Sequence, residues 1–201
     1  MKNLLIMLFV VMLLPVYALA QENNMRTTVQ DYDLFLAVKA GGKFSTDAKA
    51  METAPYGVNG GVEVNFQVNR WFAVMPVVDV TYTSGNNKGI NAESTAMGIK
   101  PYFLFQPEVK DSGFQPYIGI APTFTLSAQD VVNNNTAEKC SYIKNHLGIG
   151  AAAGFNYIYK NFITGLNFEY NYVLAGSKDD TLLHLDLSSG FTVGVRFGYR
   201  F

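Results

Sequence analysis

Eight ionisable side chains stand singly in stretches that are otherwise apolar or built of small residues: Asp33, Lys39, Glu63, Asp79, Lys100, Glu169, Arg196 and Arg200. Each falls on the less bulky face of a segment whose residues alternate with a period of two. Four are acids and four are bases, so a fold that gathers those faces would hold a balanced set. Charges drawn out of water into a narrow space require partners, and hydrogen-bonded ion pairs are expected. Glu169 with Arg196, and Asp33 with an arginine of the last strand, are the pairs anticipated. Such pairs serve either as a structural plug or as a polar passage that opens when they rearrange. Nucleophilic chemistry is poorly provided for. The histidines are His146 and His184, with Ser141, Ser188 and Ser189 near them in sequence, and no His-x-Ser pair occurs. An oriented nucleophile and base are not evident, so no catalytic residue, metal ligand or cofactor is assigned. Asp179-Asp180 reads as a solvated loop tip.

The elements that must position these charges are strands. Gly190 to Phe201 shows the pattern most regularly. Phe191, Val193, Val195, Phe197, Tyr199 and Phe201 share one face, against Thr192, Gly194, Arg196, Gly198 and Arg200 on the other. Seven earlier segments alternate in the same way, near residues 32–44, 56–68, 71–82, 95–106, 114–127, 142–159 and 162–174. Asn69-Arg70, Pro107 to Gly113 and Lys160-Asn161 read as short turns. Ser45 to Pro55, Ser84 to Glu93, Gln129 to Ser141 and Gly176 to Leu187 read as longer loops. Short and long connections therefore fall at opposite ends. Pro76, Pro101 and Pro122 interrupt the pattern, since each removes a ladder donor; bulges, strand ends or shifted boundaries would accommodate them.

The first twenty residues read as a secretory signal peptide. Lys2 precedes the apolar run Leu4 to Val16, and Ala18-Leu19-Ala20 is a small-x-small cleavage site. The run is too short for a spanning helix. No Cys follows the cleavage site, and the one cysteine, Cys140, has no internal partner. Residues 21–201 are expected to form one domain. Charged residues make up 15% of the chain, against about 25% in ordinary soluble proteins. A net charge of −1 argues against nucleic-acid binding.

These features point to an all-β fold: a closed antiparallel up-and-down transmembrane β-barrel of about eight strands. A soluble barrel would show the same alternation, but with Lys and Glu crowding its outer face. Here the bulky face carries almost no charge, which suits lipid, while the opposite face is mostly Gly, Ala, Thr, Asn and Gln. Tyr32, Trp71, Tyr82, Tyr159, Tyr172 and Tyr199 lie near strand ends, where interfacial girdles form. Eight strands leave an interior filled by its own side chains, so no open pore is expected.

Pro116-Tyr117-Ile118-Gly119-Ile120-Ala121 resembles the Pro-Tyr-aliphatic-Gly strand of small OmpA-like and OmpX-like outer-membrane barrels. Gly194 to Phe201 resembles their closing strand, which ends in Tyr-Arg-Phe. The resemblance implies that Phe197, Tyr199 and Phe201 form the signal read by the outer-membrane assembly machinery. It also implies a monomer in a bacterial outer membrane, in contact with outer-membrane lipid and lipopolysaccharide. The periplasmic peptidoglycan-binding domain of full OmpA proteins is expected to be absent. The expected role is non-enzymatic, in envelope integrity or adhesion to a host or surface ligand through the loops. The alternatives are a narrow porin-like channel and a lipid-modifying enzyme.

Overall fold

The computed structural model describes residues 34–47, 51–52, 54–87, 89–107, 113–135, 138–176 and 189–201. The segment expected to be a signal peptide, with Tyr32, Asp33, Asp179-Asp180 and His184, lies outside the described residues. Eight strands follow one another: β1 (Leu34–Ser45), β2 (Tyr56–Gln67), β3 (Phe72–Asn87), β4 (Ile90–Phe105), β5 (Phe114–Asn133), β6 (Glu138–Tyr159), β7 (Phe162–Gly176) and β8 (Gly190–Arg200). Each pairs antiparallel with its sequence neighbour, and β8 pairs with β1 to close the barrel. No helix among the described residues is long and apolar enough to cross a membrane.

Alternation sorts the side chains into a wall and a lumen. In β8, Thr192, Gly194 and Arg196 are buried, while Phe191, Val193, Val195 and Phe197 are exposed. The same inversion holds around the barrel: Val58, Ile118, Ile120 and Phe103 are each more than half exposed. Glu63, Asn65, Asn156 and Glu169 are almost completely buried. Apolar outside and polar inside is the arrangement of a barrel solvated by lipid. Trp71, Tyr82, Tyr159, Tyr172 and Tyr199 are all exposed on the wall.

Two of the expected loops are strand instead. β3 and β4 are separated only by residues 88–89, and Ser84 to Glu93 is mostly a paired ladder. Likewise Gln129 to Ser141 lies largely in β5 and β6, which pair out to Asn133↔Glu138. With 20 and 22 residues, these strands far exceed the roughly 9–11 that span a bilayer. On the outward parity, Ser84, Glu93, Asp130 and Ser141 form one polar row across four strands. Where the wall leaves lipid its outer face no longer has to be apolar, so hydropathy alternation vanishes while backbone pairing continues.

The three prolines sit inside strands, with no bulge near them. Among the described residues the only register shift lies between Leu147 and Gly148. Pro76 is directly opposite Pro101. The pairs Ile99↔Phe124 and Phe103↔Ile120 place Pro101 opposite Pro122, and the β4–β5 ladder is unpaired between them. The β2–β3 ladder likewise skips from Glu63↔Val77 to Phe66↔Val74, beside Pro76. The missing donors are thus concentrated in one row instead of weakening several.

Candidate functional site

The lumen is crossed by charges on two levels. In the first, Lys39 of β1 and Lys100 of β4 each bridge Asp79 of β3 and Glu169 of β7. Lys39 Nζ lies 3.0 Å from Asp79 Oδ2 and 2.6 Å from Glu169 Oε1. Lys100 Nζ lies 2.6 Å from Asp79 Oδ2 and 3.0 Å from Glu169 Oε2. The result is a closed ring of alternating sign contributed by four strands. Glu169 also accepts from Asn167 Nδ2 at 2.6 Å and from the Tyr102 hydroxyl at 3.3 Å. A buried carboxylate that receives this many donors is compensated for the water it has lost.

The second level is Arg196 with Glu63. Arg196 Nε stands 3.0 Å from Glu63 Oε1, with both side chains fully buried. The guanidinium lies over the Tyr117 ring, 4.7 Å from its centroid, and donates through Nη1 to Asn156 Oδ1 at 3.2 Å. Nη2 of Arg196 and Oε2 of Glu63 have no hydrogen-bond partner among the described residues. Nearer the short turns, side-chain amides fill the lumen. Asn65 donates to Gln106 Oε1 at 2.8 Å, Gln67 to the Gln106 carbonyl at 3.2 Å, and Gln115 to Gln67 Oε1 at 3.3 Å.

Six of the eight charges picked out in the sequence therefore meet in the lumen. The expected Glu169–Arg196 pair does not form. β7 and β8 are neighbours, but their register sets Arg196 opposite Gly165 and Glu169 opposite Thr192, about 13 Å apart along the strand at ~3.3 Å per residue. Alternation fixes the face and leaves the height unspecified. Asp33 lies outside the described residues. Arg200 is half-buried at the short-turn end, where its backbone N–H donates to the Asn161 carbonyl at 2.7 Å. Tyr102, Tyr117, Asn156 and Asn167 complete both levels and were not singled out from sequence; their inward parity was the available signal. Phe197, Tyr199 and Phe201 are exposed on the lipid-facing wall.

His146 and Ser141 do not converge: His146 is buried toward the lumen, while Ser141 is exposed outside and donates to Asp130 Oδ1. No group of three or more His, Cys, Asp or Glu able to hold a metal occurs among the described residues. Beside the ring, Lys43, Thr81, Thr125, Asn171 and Thr192 line a small polar cavity of about 20 Å³.

The model of the outer membrane protein beta-barrel domain matches residues 6–201. The chain belongs to that family. As an outer-membrane barrel it is similar in fold to OprG from Pseudomonas aeruginosa, at 14% identity and a TM-score of 0.59 over 85% of this chain and 96% of that one. A major outer membrane protein from Thermus thermophilus gives 11% identity and 0.59 over 86% and 100%. Ail, the attachment invasion locus protein of Yersinia pestis, gives 13% and 0.53 over 86% and 100%. No curated protein sequence matches this outer-membrane barrel.

Proposed function

We propose that this barrel is a non-enzymatic surface protein of the outer membrane that acts through its projecting hairpins, while its lumen is a structural plug. The observation that carries this reading is the Lys39–Asp79–Lys100–Glu169 ring. It ties four strands together across the lumen with no net charge, above a second neutral pair and a layer of bonded amides. A solute would have to displace several short charge-assisted bonds at once. The β3–β4 and β5–β6 hairpins, in contrast, extend a polar paired surface past the lipid. Ail is named for attachment, a role consistent with such a surface.

A narrow passage is the second reading, favoured by the small polar cavity that Lys43 lines together with Asp79 and Lys100 of the ring. Planar-bilayer recording of the refolded wild type separates the two. The plug reading expects no discrete current steps. Regular ohmic steps would overturn it. Adherence of cells displaying the intact chain, compared with one whose β5–β6 hairpin is shortened, tests the surface role; equal adherence to every host or abiotic surface tried would count against that hairpin.

A further inference from the structure

The short-turn end of the barrel holds two arrangements that neither the lumen nor the outer hairpins use. At the β6–β7 turn, Lys160 is the one non-glycine among the described residues with a left-handed backbone, at φ 56°. Glycine, asparagine or aspartate ordinarily fill such a hairpin position, so a lysine is held there against a backbone preference. Its ammonium lies 5.6 Å from the centroid of the exposed Tyr159 ring. At the β2–β3 turn, Asn69 Oδ1 accepts from the Trp71 N–H at 2.8 Å and the Phe72 N–H at 3.0 Å. That turn presents the exposed Arg70 beside a half-exposed indole stacked on Phe105, with centroids 5.9 Å apart. The described side chains of these two turns and the strand ends beside them (residues 67–72 and 157–164) include no Asp or Glu, while Glu108 and Asp111 of the third short connection lie outside the described residues.

We infer that this rim is a two-station binding surface for anionic phospholipid headgroups of the inner leaflet. At each station an aromatic ring lies on the lipid-facing wall and a cation stands next to it at the turn. Aromatic rings with a polar edge settle at the headgroup boundary. A long basic side chain reaches from that depth to the phosphate layer, and its attraction is greatest where lipids carry net negative charge. Lys160 lies against an exposed ring of the wall and the exposed Arg70 precedes another in sequence, which favours a membrane lipid over a cell-wall polymer.

Trp71 is the only tryptophan in the chain, so its fluorescence reports the Arg70 station. The full chain is refolded in phosphatidylcholine vesicles containing a fixed minor fraction of brominated phosphatidylglycerol. A parallel sample carries the same fraction of brominated phosphatidylcholine. Brominated phosphatidylglycerol is expected to quench Trp71 at least roughly twofold more strongly, with the difference shrinking in high salt and vanishing in Arg70→Gln. A Trp71→Phe, Tyr159→Trp reporter reads the other station. There Lys160→Asn, which keeps a residue suited to the turn, is expected to abolish the preference. Heat-dependent gel mobility verifies that each variant is folded. Equal quenching by the two lipids at either reporter, or a preference that survives the charge-removing substitutions, overturns the assignment.

Discussion

Lys39 and Arg196 are directly opposed across the seam where β1 meets β8, yet they share no counter-ion. Like charges at such a position repel, and the lumen separates them. Lys39 turns to Asp79 and Glu169, and Arg196 turns to Glu63. Barrel closure at this seam therefore depends on acids carried by β2, β3 and β7. Glu63→Leu strands a buried guanidinium, and a loss of about 3–5 kcal/mol is expected. Adding Arg196→Met to the same chain should recover most of it, because the unpartnered charge goes as well. Urea unfolding in vesicles, followed by Trp71 fluorescence, checks both; a double variant as unstable as the single one would show that the pair contributes more than mutual neutralisation.

Removing one charge from the ring should open the lumen without dismantling it. Glu169→Gln keeps one acceptor oxygen, enough for Asn167 or for Tyr102 but not for both, and leaves Lys39 and Lys100 with Asp79 alone. The ring then carries one net positive charge. Short-lived, anion-selective current steps are expected in planar bilayers, together with a lower unfolding midpoint. Silence equal to that of the wild type would mean that the amide layer nearer the turns closes the lumen by itself.

Gly98 makes room for the ring. A Cβ at this position would stand 2.6 Å from Asp79 Oδ1 and 3.2 Å from Lys100 Cε. Asp79 cannot move aside without lengthening its bonds to both lysines. Gly98→Ala is therefore expected to cost about 1–3 kcal/mol, in the range of overpacking a filled interior. A thermal melt followed by gel mobility reads the shift, and an unchanged midpoint would show that the carboxylate has space the geometry does not reveal.

The wall and the lumen were legible in the sequence because a period of two needs no knowledge of neighbours. Phe197 and Arg196 declare opposite faces by position alone. The partner of Arg196 was not legible. It depends on how far each strand slides past the next, and Gly165 opposite Arg196 leaves Glu169 too high to reach. The lengths of β5 and β6 were missed for a different reason. Above the lipid, Asp130 and Ser141 face water on the outer wall, so the hydropathy signal fades where the ladder does not. Neither the register nor those strand ends leave a mark in composition.

The proline row makes a prediction about the weakest part of the wall. Pro101 and Pro122 oppose each other, and neither can donate to the β4–β5 ladder. Both face outward and both lie between paired segments. Pro101→Val with Pro122→Val supplies two N–H groups at the height where the ladder is broken, and a gain of about 1 kcal/mol is expected from new hydrogen bonds in a water-poor setting. Hydrogen exchange should find the amides at 101 and 122 protected. Fast exchange there would mean that the strands stand apart for a reason other than the missing donors.

The β5–β6 hairpin should be separable from the barrel if it is cut in register. Asp130 pairs with Ser141, and every pair above them, from Val131↔Cys140 to Asn133↔Glu138, lies beyond the polar row that marks the end of the lipid-facing wall. Replacing residues 131–140 by Asn-Gly joins two opposed residues through a two-residue turn suited to antiparallel strands. The lumen ring and its partners lie below the cut, so heat-dependent gel mobility and the unfolding midpoint are expected to stay within a few degrees of wild type. A cut displaced by one residue on one strand would turn the side chains of that strand to the wrong face and should fail to fold. Comparing the two deletions distinguishes an outer hairpin that is carried by the barrel from one that the barrel needs. A large loss of stability in the register-matched deletion would place part of the folding core above the membrane.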